Sequence, residues 1–372
     1  MRSLRLRILG GALAAALVAC HSAGFQSSML PAASSVADAI SPQRCKERVN
    51  DTLAKLEECI QRTSLWRHLA KFQQIANENP GPHGHANRDT GTPGYAASVA
   101  YVAKLVRAAG YKVTIQRYNY TKEEVAGKSH IDYNLIADSP FGDPRSVVVI
   151  DAHLDAIYGA GMLDNASGST TILEVALNLA KTHTRNRLRY IWFGGEELGL
   201  LGSRYYTTHL SPAELKRIVF DVDADVTATP NFDILIADPA NAAKVKRFPR
   251  NVVPQSRIGN QYFGDFFNAG GVVSRPAAFG NNGTDSLSFS LAGVPNSGIL
   301  TGQDCCKQRW ETRLWGGYRG DYEGVVPGFH EACVDKPNRW CDNLSNNDPF
   351  VLELTSKAVA YVTFKLANRH LP

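Results

Sequence analysis

The 372-residue sequence predicts an α/β protein of three layers, in which a mixed, mostly parallel central sheet lies between flanking helices. Three observations support this class. Short runs rich in β-branched residues alternate with amphipathic segments, as strands alternate with helices in α/β folds. The run 147–150 (VVVI) is apolar throughout, which is typical of a strand buried on both faces. The composition is that of a globular protein, with 44% hydrophobic and 20% charged residues.

The elements follow in order along the chain. A helix is expected over 41–78, where apolar residues recur at helical spacing up to the NPGP break, and a second over 95–109, ended by Gly110. Alternating and apolar runs predict strands at 113–116, 133–137, 147–150, 188–193, 220–226, 234–237 and 299–300. Helical periodicity predicts helices over 170–180, 197–209 and 349–366.

The charge balance excludes one class of function. Lys and Arg number 40 and Asp and Glu 35, which gives a net charge of +5. Three arginines, Arg2, Arg5 and Arg7, lie in the first nineteen residues, and without them the basic count falls to 37 and the net charge to +2. Such a balance does not suit a protein that binds nucleic acid by a basic stripe. No apolar run reaches the roughly eighteen residues of a membrane span.

The N-terminal segment is expected to be a secretory signal. The three arginines precede a short apolar run over 8–19, and a Ser/Ala-rich linker follows, which fits a signal better than a buried helix. Residues 1–24 are therefore assigned to the signal, 25–40 to a linker, and 41–372 to a single domain with an N-terminal helical segment. This organisation predicts export, either into the periplasm, to the outer membrane or out of the cell.

Residues 17–20 (LVAC) resemble a bacterial lipobox, whose cysteine is lipidated, so Cys20 is a candidate for membrane attachment. The alternative is cleavage after Ala19 or Ala23, without lipidation. Without Cys20 an even number of cysteines remains, which favours the lipobox and suits disulfides in an oxidising compartment. These six are Cys45, Cys59, Cys305, Cys306, Cys333 and Cys341.

The spacing of the six cysteines leaves their pairing open. None forms a C-x-x-C pair, so zinc-finger and thioredoxin-like interpretations fail. On one straight helix Cys45 and Cys59 would lie roughly 21 Å apart, so a bond between them requires a bend in the chain.

Acidic residues and a histidine follow the predicted central strands. In open α/β sheets the ligand crevice lies outside the carboxyl ends of the strands. His153 and Asp155 follow the valine run and point the same way by the period of two. A histidine followed by such a carboxylate suits a metal ligand whose ring is oriented by an acid. A structural role for a strand-end histidine is the alternative.

Two further clusters belong to the same edge. The turn 161–168, which contains Asp164, could be ordinary helix capping, because Asp, Asn and Ser favour helix starts. Capping does not explain Glu196 and Glu197, which stand side by side between glycines after a buried strand. A division of labour does explain them: one glutamate coordinates a cation, and the other takes a proton from water.

Together these blocks resemble the secreted bacterial aminopeptidase family, exopeptidases with two co-catalytic zinc ions. The matching blocks are 153–155 (HLD), 164–168 (DNASG), 192–203 (WFGGEELGLLGS) and 225–231 (DVTATPN), with a weaker match at 87–95 (NRDTGTPGY). The resemblance extends from about residue 65 to the C-terminus. It implies the zinc exopeptidase fold, two Zn²⁺ per chain and peptide substrates with a free N-terminus, and it implies nothing about oligomeric state.

The resemblance also implies a role for each site residue. His153 and Asp225 would hold one zinc, Glu197 and His330 the other, and Asp164 would bridge them. Asp155 would orient His153, and Glu196 would be the general base. By local sequence alone Asp221 and Asp223 compete with Asp225, and the family's spacing to Pro-Asn selects Asp225.

Three departures from the family concern substrate handling and a disulfide. The family commonly has Tyr, whose hydroxyl helps to bind the reacting carbonyl, where this chain has Phe329, a candidate substrate-binding residue. Residues 283–286 read GTDS, where some members have Arg-Ser-Asp-His. Cys333 is kept, but its usual partner is Gly328, and an insertion over 334–340 supplies Cys341 instead, which implies a Cys333–Cys341 bond.

Two other functions are compatible with the same fold. One is a glutaminyl cyclase, which uses a single zinc and commonly has Asp-Ser in the turn that reads DNASG here. The other is a non-catalytic binding module, but such proteins typically lose metal ligands or the base, and all six positions are present. The sequence therefore favours a metallo-aminopeptidase.

Overall fold

The computed structural model describes residues 40–82, 84–121, 129–244, 247–277, 283–303, 305–323 and 340–371. The predicted signal with Cys20, and the segment that contains Phe329, His330 and Cys333, lie outside the described residues.

The centre of the fold is an eight-stranded mixed sheet in the order β1-β2-β4-β3-β5-β8-β6-β7. Its strands are β1 Lys112–Thr121, β2 Ser129–Asp138, β3 Asp143–His153, β4 Asn186–Phe193, β5 Ile218–Ala224, β6 Leu235–Ala237, β7 Arg275–Ala277 and β8 Asn296–Leu300. The central strands β4, β3, β5 and β8 run parallel, whereas β1, β2 and β6 join by antiparallel pairs. The predicted fold class is therefore confirmed.

Helices cover both faces of this sheet. They are α1 Pro42–Glu47, α2 Leu53–Cys59, α3 Arg62–Glu78, α4 Pro93–Ala108, α5 Ala166–Leu179, α6 Leu201–His209, α7 Pro212–Leu215, α8 Pro239–Ala242, α9 Val252–Ala269, α10 Ser286–Ala292, α11 Arg309–Trp315 and α12 Pro349–Ala367, with a 3₁₀ turn at Leu344–Asn346. Val148 and Ile150 of β3 belong to the larger core beneath α3, α4, α5, α9 and α12. Val147 and Val149 belong to a smaller core beneath α6 and α10. The alternation along β3 thus explains why the whole valine run is apolar.

The first predicted helix, 41–78, is interrupted. The structure divides it into α1, α2 and α3, and the oxygen of Thr52 caps α2 by accepting from the Lys55 amide. The bend between α1 and α2 brings Cys45 and Cys59 together, and they form a disulfide. The sequence required such a bend if these two cysteines were to pair.

The predicted helix over 197–209 begins later than expected. α6 starts at Leu201, because Gly199 and Leu200 adopt left-handed conformations with φ of +97° and +61°. The two glutamates therefore lie in a turn between β4 and α6. Among the helices in the described part of the chain, none is long and apolar enough to cross a membrane.

Candidate metal centre

Four elements meet at the carboxyl edge of the parallel strands. β3 ends at His153, β5 ends one residue before Asp225, and the Glu196–Glu197 turn follows β4. Asp164 lies two residues before the start of α5, the helix that follows β3. The topology thus brings together side chains that are up to 72 residues apart in sequence, between His153 and Asp225. This is the edge at which α/β sheets commonly bind their ligands.

His153 is the centre of this group. Its Nε2 lies 3.0 Å from Oδ1 of Asp164 and 3.3 Å from Oδ1 of Asp225. One ligand atom from each of these three residues lies within 4.8 Å of the other two, and the same holds for His153, Glu196 and Glu197. The structure therefore places four of the predicted site residues, Asp164, Asp225, Glu196 and Glu197, around His153. The sixth predicted position, His330, lies outside the described residues.

Asp155 connects the histidine with the glutamate turn. Its Oδ1 lies 3.5 Å from Nδ1 of His153 and accepts from the Glu196 amide at 3.3 Å. Its Oδ2 accepts from the Glu197 amide at 3.4 Å and from the Thr90 hydroxyl at 2.6 Å. Gly195 permits this turn, since its φ is +67°. Asp155 faces the predicted metal ligand and also fixes the backbone of the predicted base.

The block 164–168 joins the Asp164 turn to the end of β5. The Asn165 side chain donates to the Ala224 carbonyl at 3.0 Å and accepts from the Val226 amide at 3.2 Å. A Cβ at Gly168 would collide with the same Ala224 carbonyl, so glycine is required for this close approach. These contacts fix Asp164 relative to Asp225. Capping explains part of this block, because Asn165 also accepts from the Gly168 amide at 2.8 Å, but only part.

Burial and mutual repulsion change the acid–base properties of these groups. Burial lowers the pKa of His153, but Glu196 and the other surrounding carboxylates raise it by more, so the pKa lies well above its usual range. Burial and the charge of Asp225 raise the pKa of Asp164 to about 7, against the opposing effect of His153. Burial also raises the pKa of Glu196 well above its usual range, and Asp285, Asp225 and Asp164 add to the rise.

Asp221 and Asp223, which competed with Asp225 in the sequence, lie deeper along β5. Both are fully buried, and Asp223 accepts a hydrogen bond from the Ser286 amide at 3.1 Å. Burial raises the pKa of Asp223 to about 7 and that of Asp221 well above its usual range. Asp225, rather than either of them, lies beside His153 and Asp164.

Sequence reasoning missed several residues that contact this centre. Gln303 donates to Oδ2 of Asp164 at 2.7 Å, and Asp342 accepts from the Leu163 and Asp164 amides at 2.8 and 3.0 Å. Thr90 and Arg88 contact the loop between Asp155 and Asp164. Arg88 and Thr90 lie in block 87–95, which matches the family weakly. The match indicated that this segment belongs to the family pattern, but it assigned no role to either residue. Gln303 and Asp342 had no local signal.

The other cysteines in the described part of the chain are also disulfide-bonded. Cys305 is joined to its neighbour Cys306, and Cys341 is disulfide-bonded. The implied partner of Cys341, Cys333, lies outside the described residues.

The donor set fits a transition-metal ion. Both ring nitrogens of His153 and one carboxylate oxygen each of Asp164 and Asp225 are buried, and none has a hydrogen-bond partner of good geometry. Buried polar atoms are otherwise paired in nearly all proteins, so a group without partners needs an explanation. Imidazole and carboxylate ligands in this combination suit Zn²⁺. This donor set can bind a cation, and Glu196 lies close enough to present a carboxylate base beside it.

A three-layer α/β fold with a histidine and carboxylates gathered at its strand ends defines a metal-binding α/β protein. Residues 134–362, well over half of the chain, match the peptidase family M28. The chain belongs to peptidase family M28, which confirms the family resemblance drawn from the sequence.

Individual relatives and solved structures agree with this assignment. The chain is 33% identical over 302 residues, 80% of its length, to leupeptin-inactivating enzyme 1 of Streptomyces exfoliatus, and 32% identical over 241 residues, 64% of its length, to an aminopeptidase of Pseudomonas aeruginosa. It spans 60% and 42% of the length of these two relatives.

Two solved structures share the fold at low sequence identity. A zinc aminopeptidase from Bacillus subtilis superposes with a TM-score of 0.62 at 15% identity, covering 83% of this chain and 96% of the other. A glutaminyl cyclase from Bacteroides thetaiotaomicron gives a TM-score of 0.60 at 16% identity, covering 82% and 98%. The likeness shows the fold alone, and the fold does not separate these two activities.

Proposed function

We propose that this chain is an exported, zinc-dependent aminopeptidase that removes the N-terminal residue from peptides with a free amino group. One observation carries the proposal: His153, Asp164 and Asp225 meet at the strand ends, and Glu196 lies beside them on a separate turn. Membership of a peptidase family and the aminopeptidase among the relatives support the same activity.

The metal arrangement follows the family resemblance. His153 and Asp225 would hold one zinc ion, Glu197 and His330 the other, and the Asp164 carboxylate would be shared. When bound, two zinc ions polarise the carbonyl of the scissile bond and lower the pKa of water. The proximity of His153, Asp164 and Asp225 supports the first set. Glu197 lies close to the same histidine, which supports a neighbouring second set.

Glu196 is proposed as the general base and later the general acid. Its carboxylate would take a proton from the attacking water and hand it to the leaving amine, so that no net proton is consumed by the residue. Burial raises the pKa of Glu196, so its carboxylate binds a proton more tightly than that of an exposed glutamate. Asp155 fixes the Glu196 backbone at 3.3 Å, so the base is attached to the same residue that faces His153.

The leader carries the cellular part of the proposal. A basic segment followed by an apolar run, and a cysteine in lipobox context, support export with attachment of the chain by lipidated Cys20. The oxidised cysteines support an oxidising compartment.

The test uses a panel of aminoacyl-anilides, their N-acetylated counterparts and a peptide with N-terminal glutamine, each with and without a chelator. We expect hydrolysis of the free aminoacyl compounds only, its loss with the chelator, and two zinc ions per chain by elemental analysis. Cyclisation of the glutamine peptide with one zinc per chain would identify a glutaminyl cyclase instead. Rapid internal cleavage of a blocked peptide would identify an endopeptidase.

A further inference from the structure

We propose that Arg88 and Thr90 are positioning residues for this metal centre, where Arg88 fixes the loop from Leu154 to Gly161 and Thr90 orients the Asp155 carboxylate. The inference deepens the proposed function and rests on it. Both residues come from the connection between α3 and α4, far from the strand ends in sequence.

The Arg88 side chain binds the loop 154–161, which connects Asp155 with Asp164. Its side chain is fully buried and donates to three backbone carbonyls, those of Leu154 at 2.7 Å, Ala160 at 2.7 Å and Gly161 at 2.8 Å. These carbonyls lie next to Asp155 on one side and shortly before Asp164 on the other. A guanidinium group has five donors in a planar fork, which allows one side chain to hold three acceptors.

The charge of Arg88 persists in this buried position. Burial lowers the pKa of Arg88 to about 10, while Asp342, Asp155 and Asp89 oppose the decrease. The guanidinium group also makes a cation–π contact with Phe72, whose ring centroid lies 5.2 Å from the guanidinium carbon. A buried charge is tolerated only when it is paired and hydrogen-bonded. Because the buried guanidinium group needs hydrogen-bond acceptors, movement of any of the three carbonyls would leave one of its donors without a partner.

Main-chain contacts reinforce the same junction. The Arg88 amide donates to the Gly159 carbonyl at 2.8 Å, and the Gly159 amide donates to Oδ1 of Asp89 at 3.0 Å. The Ala156 amide donates to the Arg88 carbonyl at 3.2 Å. The loop therefore has little freedom to shift Asp155 relative to Asp164.

Thr90 acts at the end of this junction. Its hydroxyl donates to Oδ2 of Asp155 at 2.6 Å, which is shorter than the bonds from the Glu196 and Glu197 amides. Asp155 is fully buried, so rotation of its carboxylate would leave an acceptor without a donor. Because Oδ1 of Asp155 lies 3.5 Å from Nδ1 of His153, that rotation would also change the orientation of the ring. Outer partners of this kind typically alter metal affinity or activity by roughly 10–100-fold.

The main experiment compares Thr90→Val, which keeps the shape and removes the hydroxyl, with Thr90→Ser, which keeps the hydroxyl. Zinc dissociation constants are measured by competition with a chromogenic chelator, and the visible absorption of the Co²⁺-loaded protein reports the ligand geometry. We expect Thr90→Val to weaken zinc binding about tenfold and to shift the cobalt bands. Its kcat should fall with little change in KM, and Thr90→Ser should restore all three readouts. Thr114→Val, at an exposed position of β1, serves as the matched control.

Arg88→Lys tests the loop separately, because lysine keeps the charge but cannot satisfy three carbonyls with a fixed fork. Circular dichroism establishes that the variant is folded, and its zinc affinity should fall by about the same factor as that of Thr90→Val. Wild-type zinc affinity and cobalt spectrum in Thr90→Val, or an equal defect in Thr90→Ser, would overturn the inference. A wild-type protein that binds zinc but hydrolyses no aminoacyl substrate would instead contradict the proposed function. The zinc affinity and the cobalt spectrum of the Thr90 variants would still test the inference about Thr90.

Discussion

The side-chain amide of Gln303 donates a hydrogen bond to Oδ2 of Asp164 at 2.7 Å. Gln303 stands three residues beyond β8, on a backbone held by the Thr229 hydroxyl, which donates to the Gly302 carbonyl at 2.7 Å. A Cβ at Gly302 would collide with the Tyr322 ring, so the chain at Gly302 passes closely between Thr229 and Tyr322. Gln303 therefore reaches the carboxylate proposed to be shared by two metal ions from a firmly held position.

Replacing Gln303 should loosen that carboxylate. We expect Gln303→Ala to weaken zinc binding by roughly tenfold, the lower end of the effect of outer hydrogen-bond partners, because Asp164 loses its donor. Chelator competition measures the affinity, and Gln74→Ala, at an exposed position of α3, is the control. Unchanged zinc affinity in Gln303→Ala would show that the hydrogen bond has no bearing on the metal centre.

The two glutamates of the turn should behave differently when replaced. Glu196→Gln should keep both metals and lose turnover by a factor on the order of 10²–10⁴, because an amide cannot take a proton from water. Glu197→Ala should lose metal. Elemental analysis of the two variants beside a single-turnover assay separates these roles, and near-normal hydrolysis by Glu196→Gln would remove it as the base.

The sequence predicts the parts of this centre that depend on local pattern. The apolar run 147–150 locates β3, and the period of two predicts that His153 and Asp155 point the same way. In the structure β3 ends at His153, and Asp155 lies 3.5 Å from its ring. The sequence does not predict Arg88, Gln303 or Asp342, because their roles depend on contacts between segments 66 to 179 residues apart. Their residue types carry no signal of such contacts.

α9 was missed for a different reason. Its sequence contains Pro254 and two interior glycines, which disfavour a helix by propensity. The proline lies in the first turn, where its missing amide costs little, and a Cβ at Gly259 would press on the Phe220 ring of β5 at 2.6 Å. Tertiary packing thus requires glycine at position 259, although glycine has a low helix propensity.

A buried acid outside the proposed catalytic set predicts a pH dependence of stability. Burial and the charge of Asp155 raise the pKa of Asp132 to about 8, although the Tyr133 amide and Tyr118 hydroxyl oppose the rise. The folded state then keeps a proton that the unfolded chain loses near pH 4, so the free energy of unfolding falls as pH rises from about 4 to 8. The contribution is at most about 1.4 kcal/mol per pH unit.

Asp132→Asn should remove that contribution, because the amide does not titrate. Urea unfolding at pH 5, 6.5 and 8 should show the wild type losing stability relative to the variant as pH increases. Asp51→Asn, at an exposed site, is the control. Parallel curves for the wild type and Asp132→Asn would show that the carboxyl group does not titrate in this window.

Metal should also stabilise the fold. Asp164 and Asp225 bring two buried, mutually repelling carboxylates together beside His153. A cation bound only by the folded chain stabilises it by about 4.1 kcal/mol at a thousand times the dissociation constant. Calorimetry of the zinc-loaded and chelator-treated protein should therefore show a higher Tm with zinc. An equal Tm in both, with zinc binding verified by elemental analysis, would contradict a site formed only in the folded state.

The final prediction concerns a tether at the C-terminal side of the centre. Cys341 is disulfide-bonded, and the next residue, Asp342, accepts from the Leu163 and Asp164 amides at 2.8 and 3.0 Å. The disulfide thus fixes the residue that holds the backbone of Asp164. Cys341→Ser should allow Asp342 to withdraw, and Asp342→Asn should leave one of the two amides without an acceptor while keeping the disulfide.

Both changes should therefore weaken zinc retention, by roughly tenfold, before they unfold the protein. The double replacement Cys45→Ser with Cys59→Ser removes a disulfide between α1 and α2, away from the centre, so it should lower Tm and leave zinc affinity unchanged. Peptide mapping of the oxidised wild type should recover Cys341 linked to Cys333, as the family resemblance implies. Release of zinc by Cys341→Ser but not by Asp342→Asn would contradict this explanation. Asp342→Asn disturbs the contact with the Asp164 backbone directly, so the disulfide would then have to act on the centre through some other contact.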